Sequence, residues 1–151
     1  MTHIRDACPA DLPEIRSMMR DHAISEGGIV PVEDELDSAL FGAQSIARVT
    51  VADDEETLAG LAMWYPTFSS WALRAGIWLE DLYVRPEYRQ SGVGRELMLH
   101  LRAQTRGRIE WDVSDDNDRA HRFYRRLGAA PFDGLTRYRW PATTPETRPA
   151  D

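Results

Sequence analysis

Residues 89–95 read Arg-Gln-Ser-Gly-Val-Gly-Arg, a composition that can hold an anion. Gly92 and Gly94 let the backbone approach a ligand closely. A helix opening there offers free N–H groups and the positive end of its dipole to a pyrophosphate. Arg89 and Arg95 add charge. A plain turn with solvated arginines would read the same, and what favours the phosphate reading is position, directly after an apolar strand and at the start of a helix. The spacing is R-x-x-G-x-G, not the G-x-G-x-x-G of dinucleotide folds. Just upstream, Glu80 and Asp81 interrupt the apolar run Ile77–Val84. Desolvation there would raise a carboxyl towards a range useful for general-base chemistry, although structural carboxylates bonded by backbone donors occupy such runs too. Adjacent strand residues face opposite sides, so one acid at most should point to a given reaction centre. Downstream, Tyr124 borders the stripe Ala120, Phe123, Leu127, where a phenol either packs or gives up a proton. Asn117, at the start of that helix, is a natural cap.

Other chemistries drop out. All 18 basic residues are arginine, so there is no lysine for a Schiff base or a P-loop. The lone Cys8 can form no intrachain disulfide and no multi-cysteine metal site. His22 and His121 have no metal-ligand spacing and read as surface or core residues.

The elements that must position these groups follow from periodicity. Residues 2–7 read as a strand, and Leu12, Ile15, Met18, Met19 and His22 mark an amphipathic helix over 9–26, ended by Gly27-Gly28. Residues 33–41 form a second, acidic helix closed by Gly42. Residues 46–52 and 58–65 read as a hairpin, 66–74 as a loop, and 76–84 as a strand covered on both faces. A helix over 92–105, a strand over 108–113 and a helix over 117–127 follow, then one or two strands in 132–140. The order β-α-α-β-β-β-α-β-α-β predicts one α+β (mixed α/β) domain over 1–141, with a disordered tail at 142–151.

Composition agrees. A chain of 151 residues, 42% hydrophobic and 28% charged, has the size and apolar content of one globular domain. It has no apolar run of about 20 residues for a membrane and no N-terminal secretory pattern, which predicts a cytoplasmic protein. The net charge of −7 argues against nucleic acid, and it is unevenly spread. Residues 1–60 hold 13 acids and 4 arginines; residues 61–151 hold 12 acids and 14 arginines.

Three segments, Gly76-Ile-Trp-Leu-Glu-Asp-Leu-Tyr-Val84, Arg89-x-x-Gly92-x-Gly94 and Asn117 through Phe123-Tyr-Arg-Arg-Leu-Gly-Ala129, resemble the core motifs of the GNAT superfamily of N-acetyltransferases. Within it the chain is similar to the spermidine/spermine (diamine) and thialysine branch, through Ala62-Met-Trp-Tyr65, Trp71, Leu79-Glu-Asp81 and an N-terminal helix pair ending at Phe41-Gly42. Asp116 stands where that branch has Trp, and Gln90 where it favours Gly. The likeness spans residues 4–140. It implies a mostly antiparallel central sheet flanked by about four helices, whose parallel strands 4 and 5 splay apart around the pantetheine of acetyl-CoA. It also implies a homodimer acting on a small primary amine.

Such an amine has a pKa of roughly 10 and must lose a proton before attack. The resemblance assigns Glu80 as the general base, directly or through water, and Asp81 as a supporting or substrate-contacting acid. It gives Tyr124 the task of protonating the departing thiolate. It places Leu82, Tyr83 and Val84 along the cofactor, with a backbone N–H at a bulge for the thioester oxygen. Residues Arg89, Gln90, Ser91, Gly92, Val93, Gly94 and Arg95 would hold the pyrophosphate, Asn117 the pantetheine, and Glu26 the substrate. Competing readings are an amino acid, antibiotic or protein amine as acceptor, and a non-catalytic acyl-CoA module, which would not need both Glu80 and Tyr124.

Overall fold

The computed structural model describes residues 1–32 and 34–143, so the tail expected at 142–151 lies, from 144 onward, outside the described residues. Five strands form one sheet in sequence order: β1 (His3–Asp6), β2 (Arg48–Asp53), β3 (Leu58–Ser69), β4 (Arg74–Val84) and β5 (Ile109–Glu110). The first four run antiparallel and β4–β5 is parallel. Helices α1 (Leu12–Ser25) and α2 (Leu36–Phe41) cover one face, and α3 (Val93–Gln104) and α4 (Asp118–Arg126) the other. This is the expected mixed α/β architecture.

Each face has its own core. Ile15 and Met18 of α1 and Leu40 of α2 pack on Val49, Val51, Leu58, Leu61 and Tyr83. Leu97, Met98 and Leu101 of α3 pack on Trp64, Ile77 and Leu79, with Phe123, Tyr124 and Leu127 of the α4 region against their edge. Each such fully buried aliphatic side chain stabilises the fold by about 1.5–3 kcal/mol. The buried Thr50 does not lose a hydrogen bond, because its Oγ1 accepts from Trp64 Nε1 at 3.1 Å. Arg5 ties three segments together: it forks onto Asp11 at 2.7 and 2.9 Å and donates from Nε to Asp53 on β2 at 2.8 Å.

Three expectations need correction. Residues 66–74 are not a loop: β3 continues to Ser69 and β4 starts at Arg74, joined by a turn over 70–73. Pro66 obscures the strand pattern, yet it is tolerated because β2 pairs only as far as Trp64 and leaves that edge of β3 free. The strand expected over 108–113 is regular only at Ile109–Glu110. No strand forms over 132–140, where Phe132, Leu135, Tyr138 and Trp140 are exposed and the segment makes no backbone pairing with the sheet, whose last strand is β5.

Two local features make the geometry of the site. At the base, Gly76 stands so close to the chain entering β5 that a Cβ would lie 2.5 Å from the Arg108 carbonyl oxygen. Only glycine permits that approach. Pairing runs for two residues, Ile77↔Ile109 and Trp78↔Glu110, and then stops. Higher on β4, the register jumps from Trp64↔Leu79 to Met63↔Asp81, so Glu80 is an extra, bulged residue. The bulge reverses parity. Before it Ile77 and Leu79 pack towards α3; after it Leu82 and Val84 do, while Tyr83 joins the α1 core.

Candidate active site

Above the point where β5 leaves β4, a groove of about 1000 Å³ opens along the bare edge of β4. Leu82, Tyr83 and Val84 form its floor. Arg85 N–H donates to Ala59 on β3, so by strand alternation the N–H groups of Val84 and Leu82 point to the open edge, where β5 is not there to accept them. The bulge expected over 82–84 lies at Glu80 instead, and the missing neighbour, not a bulge, is what bares this edge.

One end of the groove is the turn. Gln90 (φ 65°) and Gly92 (φ 96°) both adopt left-handed backbone, and Gly92 starts α3 with no side chain capping the helix amides. These amides therefore face the groove as a concave donor set. The turn is anchored from behind: Arg85 donates to Leu58 O at 2.7 Å and to Glu14 at 3.1 Å, and Arg89 Nε to Val84 O at 3.0 Å. Arg89, Gln90, Gly92, Gly94 and Arg95 line the groove. Ser91 and Val93 are not among its lining residues: the exposed Ser91 donates from Oγ back to Tyr88 O at 2.5 Å, and Val93 is buried in the α3 core.

The opposite wall is α4. Asn117 lines the groove and caps α4, its Oδ1 accepting from Ala120 N–H at 3.0 Å. Tyr124 packs at a tilt against Trp111 and edge-to-face against Phe123, with ring centroids 4.7 and 5.0 Å away. Burial, and after it the charge of Asp81, raise its phenol well above the ordinary tyrosine value. The hydroxyl is therefore a proton donor across the neutral range. Sequence reading missed Arg119, Arg122 and Arg126, which add three positive charges to this wall. Their i, i+3, i+7 spacing is the signal that was available. Glu26 and Ser25, at the C-terminal end of α1, form the remaining lip.

The two acids lie just past the groove, on β4 beyond Leu82. The expectation that they face opposite sides fails, because the bulge leaves both on the α1 face. Glu80 is exposed, so the desolvation expected of it is absent; Trp78 Nε1 donates to its Oε2 at 2.9 Å and the Tyr65 hydroxyl at 3.3 Å. Asp81 is the better buried of the two and meets His22 Nε2 of α1 at 3.0 Å. His22, read as a plain surface or core residue, thus belongs to this corner. Among the described residues no group of three His, Cys, Asp or Glu is placed to hold a metal ion, and no helix is long and apolar enough to cross a membrane.

Residues 13–129 match the model of the acetyltransferase (GNAT) family. An L-ornithine N5-acetyltransferase of Arabidopsis thaliana is 29% identical over 127 residues; these cover 82% of this chain but 50% of that enzyme, so the chain spans about half its length. A thialysine N-epsilon-acetyltransferase of Mus musculus is 29% identical, with 85% of this chain and 84% of that one covered. Among solved structures, a possible acetyltransferase from Clostridium difficile 630 superposes with a TM-score of 0.82 at 20% identity, covering 95% of this chain and 99% of the other, a likeness of fold.

Proposed function

Since the chain belongs to the acetyltransferase (GNAT) family, we propose that it transfers the acetyl group of acetyl-CoA to a primary amine of a small cationic acceptor, of polyamine, diamine or lysine-analogue type, by direct attack in a ternary complex. The observation that supports this reading most is one groove lined by the glycine-arginine turn with its open helix amides and, on the facing wall, by the largely buried Tyr124. The donor set fits a pyrophosphate: open helix amides, left-handed Gln90 and Gly92, and Arg89 and Arg95, with Arg119, Arg122 and Arg126 opposite. Acetyl-CoA supplies the activated acetyl group when bound.

In this reading the turn, Arg89–Arg95, holds the phosphates, and Leu82–Val84 and Asn117 guide the pantetheine arm. The Leu82 or Val84 N–H stabilises the charge that develops on the thioester oxygen. Glu80 takes the proton of the acceptor ammonium, through a water that its exposure allows, since a cationic amine cannot attack. Tyr124, held protonated, donates to the departing sulfur. Asp81 and Glu26 supply negative charge for the acceptor. The acidic first 60 residues, which contribute α1, then face the cation, and the arginine-rich remainder faces the phosphates.

Residues 1–141 form the transferase domain in this proposal, and the protein is cytoplasmic and homodimeric; light scattering checks the last point. The test of the activity is a screen of acetyl-CoA with polyamines, lysine analogues, aminoglycosides and amino acids, read by release of free thiol. Turnover confined to polyamines, diamines or lysine analogues supports the reading. Thiol release with none of the panel would end it.

A further inference from the structure

We propose that His22 and Asp81 act as one unit in recognising the reacting amine: His22 is a positioning residue that holds the Asp81 carboxylate so that its second oxygen meets the acceptor ammonium. The inference rests on the transferase reading above and adds to it a residue on a different element, α1, that neither the phosphate turn nor Tyr124 requires.

Three observations carry it. Asp81 follows Leu82, the last groove-lining residue of β4, in the direction away from the phosphate turn, so it stands where a bound acetyl group would meet its acceptor. A strand advances about 3.3 Å per residue, which puts Asp81 about 10 Å from Val84 along β4. Tyr124 lines the groove, and after burial it is the charge of Asp81 that raises its phenol. Lastly, His22 Nε2 lies 3.0 Å from Asp81 Oδ1, with both side chains mostly covered, at 20% and 17% exposure. Among the described residues no buried side-chain nitrogen or oxygen lacks a partner, so Asp81 Oδ2, which His22 does not engage, is open to solvent and to a ligand.

The pairing has a physical purpose. Asp81 stands next to the bulge at Glu80, and an acid side chain that must be ordered when its ligand binds loses affinity through the entropy of ordering it. A ring N–H donated from Nε2 to Oδ1 fixes the orientation of the carboxyl group and leaves Oδ2 for a ligand. His22 is itself steadied by the Tyr83 ring, with centroids 5.6 Å apart. Because Tyr83 also lines the groove, α1 and β4 are braced against each other at the acceptor end.

The test compares His22→Leu with His22→Gln, whose amide can still donate to Asp81. His22→Leu should raise KM for the acceptor about tenfold, the size of one lost hydrogen bond to a charged group, and leave KM for acetyl-CoA and kcat within about twofold. His22→Gln should restore most of the loss. Unchanged acceptor KM in His22→Leu, an equal rise in both KM values, or no recovery in His22→Gln would overturn the pairing. A second readout works without turnover: the imidazole 15N signal of His22 in the wild-type chain, identified by its absence in His22→Gln, should move on titration with 1,5-diaminopentane. A shift without any thiol release would keep the pair as a cation site and discard the transferase reading. No shift in an enzyme that does turn over would discard the pair and keep the transferase.

Discussion

The lower and upper halves of β4 differ in one respect that decides what each does. From Arg74 to Trp78 the strand lies between β3 and the chain at β5, and its Gly76 is pressed against the Arg108 carbonyl. From Leu79 to Val84 it keeps β3 but loses β5, and over Leu82–Val84 the bare edge becomes the floor of the groove. Both halves are apolar and both contribute to the cores. The lower half is braced on both sides, by β3 and by the Ile77–Trp78 pairing with β5, whereas the upper half leaves backbone groups free along one edge and is the candidate site. Damage to the lower half should therefore appear as lost stability, and damage around the upper half as lost rate or affinity.

The largest effect expected on that division is at Tyr124. Tyr124→Phe keeps the ring packed against Trp111 and removes the proton donor, so kcat should fall about 100- to 1000-fold while binding of acetyl-CoA and the melting temperature barely change. Steady-state kinetics with calorimetric binding would check this. A variant that loses binding along with rate would return Tyr124 to mere packing. Since the phenol of the wild type is raised by burial and by Asp81, it should also cause no alkaline decline in activity below about pH 10.

Gly76→Val is the counterpart in the scaffold. A Cβ only 2.5 Å from a backbone oxygen forces β4 and β5 apart, at about 3 kcal/mol and roughly 10 °C in melting temperature. The enzyme that remains folded should keep its KM for acetyl-CoA. A variant as stable as wild type would show that the base of the sheet tolerates separation.

A smaller loss belongs to the N-terminal scaffold. The Arg5 fork holds the Asp11 carboxyl at about 2, below its ordinary 3.8, so the folded state favours the ionised acid. That contribution, on the order of 2 kcal/mol, is complete above the ordinary value and is lost as the pH falls towards 2. Urea unfolding at pH 7 and pH 2.5 should show a smaller acid loss in Asp11→Asn than in wild type. Equal losses would remove Asp11 from the account.

The smallest effect returns to the groove. Gly92→Ala places a side chain at φ 96°, costing about 1–2 kcal/mol of local conformation, yet nothing lies within 4 Å of the added methyl. The turn should open slightly, raising KM for acetyl-CoA about tenfold with a loss of only a few degrees in melting temperature. A shift in melting temperature alone would put Gly92 with the scaffold.

Much of this was legible from local pattern. Helical spacing found α1, α3 and α4, the apolar run found β4, and the glycine-arginine turn between β4 and α3 stood out by composition. Local pattern failed where a strand's state depends on its neighbours. Phe132–Trp140 has the residues of a strand but no partner, and residues 66–69 have a poor strand pattern but a partner in β4. The bulge at Glu80 was invisible for the same reason. An extra residue is defined only against the opposing register, and with it went the prediction that Glu80 and Asp81 diverge.

By itself, the sequence determined the family, the mixed sheet and the glycine-arginine turn between β4 and α3, because these rest on composition and short-range spacing. Only the tertiary structure decided which edge of β4 stays bare, that both acids share one face, and that His22, 59 residues from Asp81 in the chain, stands 3.0 Å from it. Those facts depend on contacts between distant segments, which no local pattern encodes.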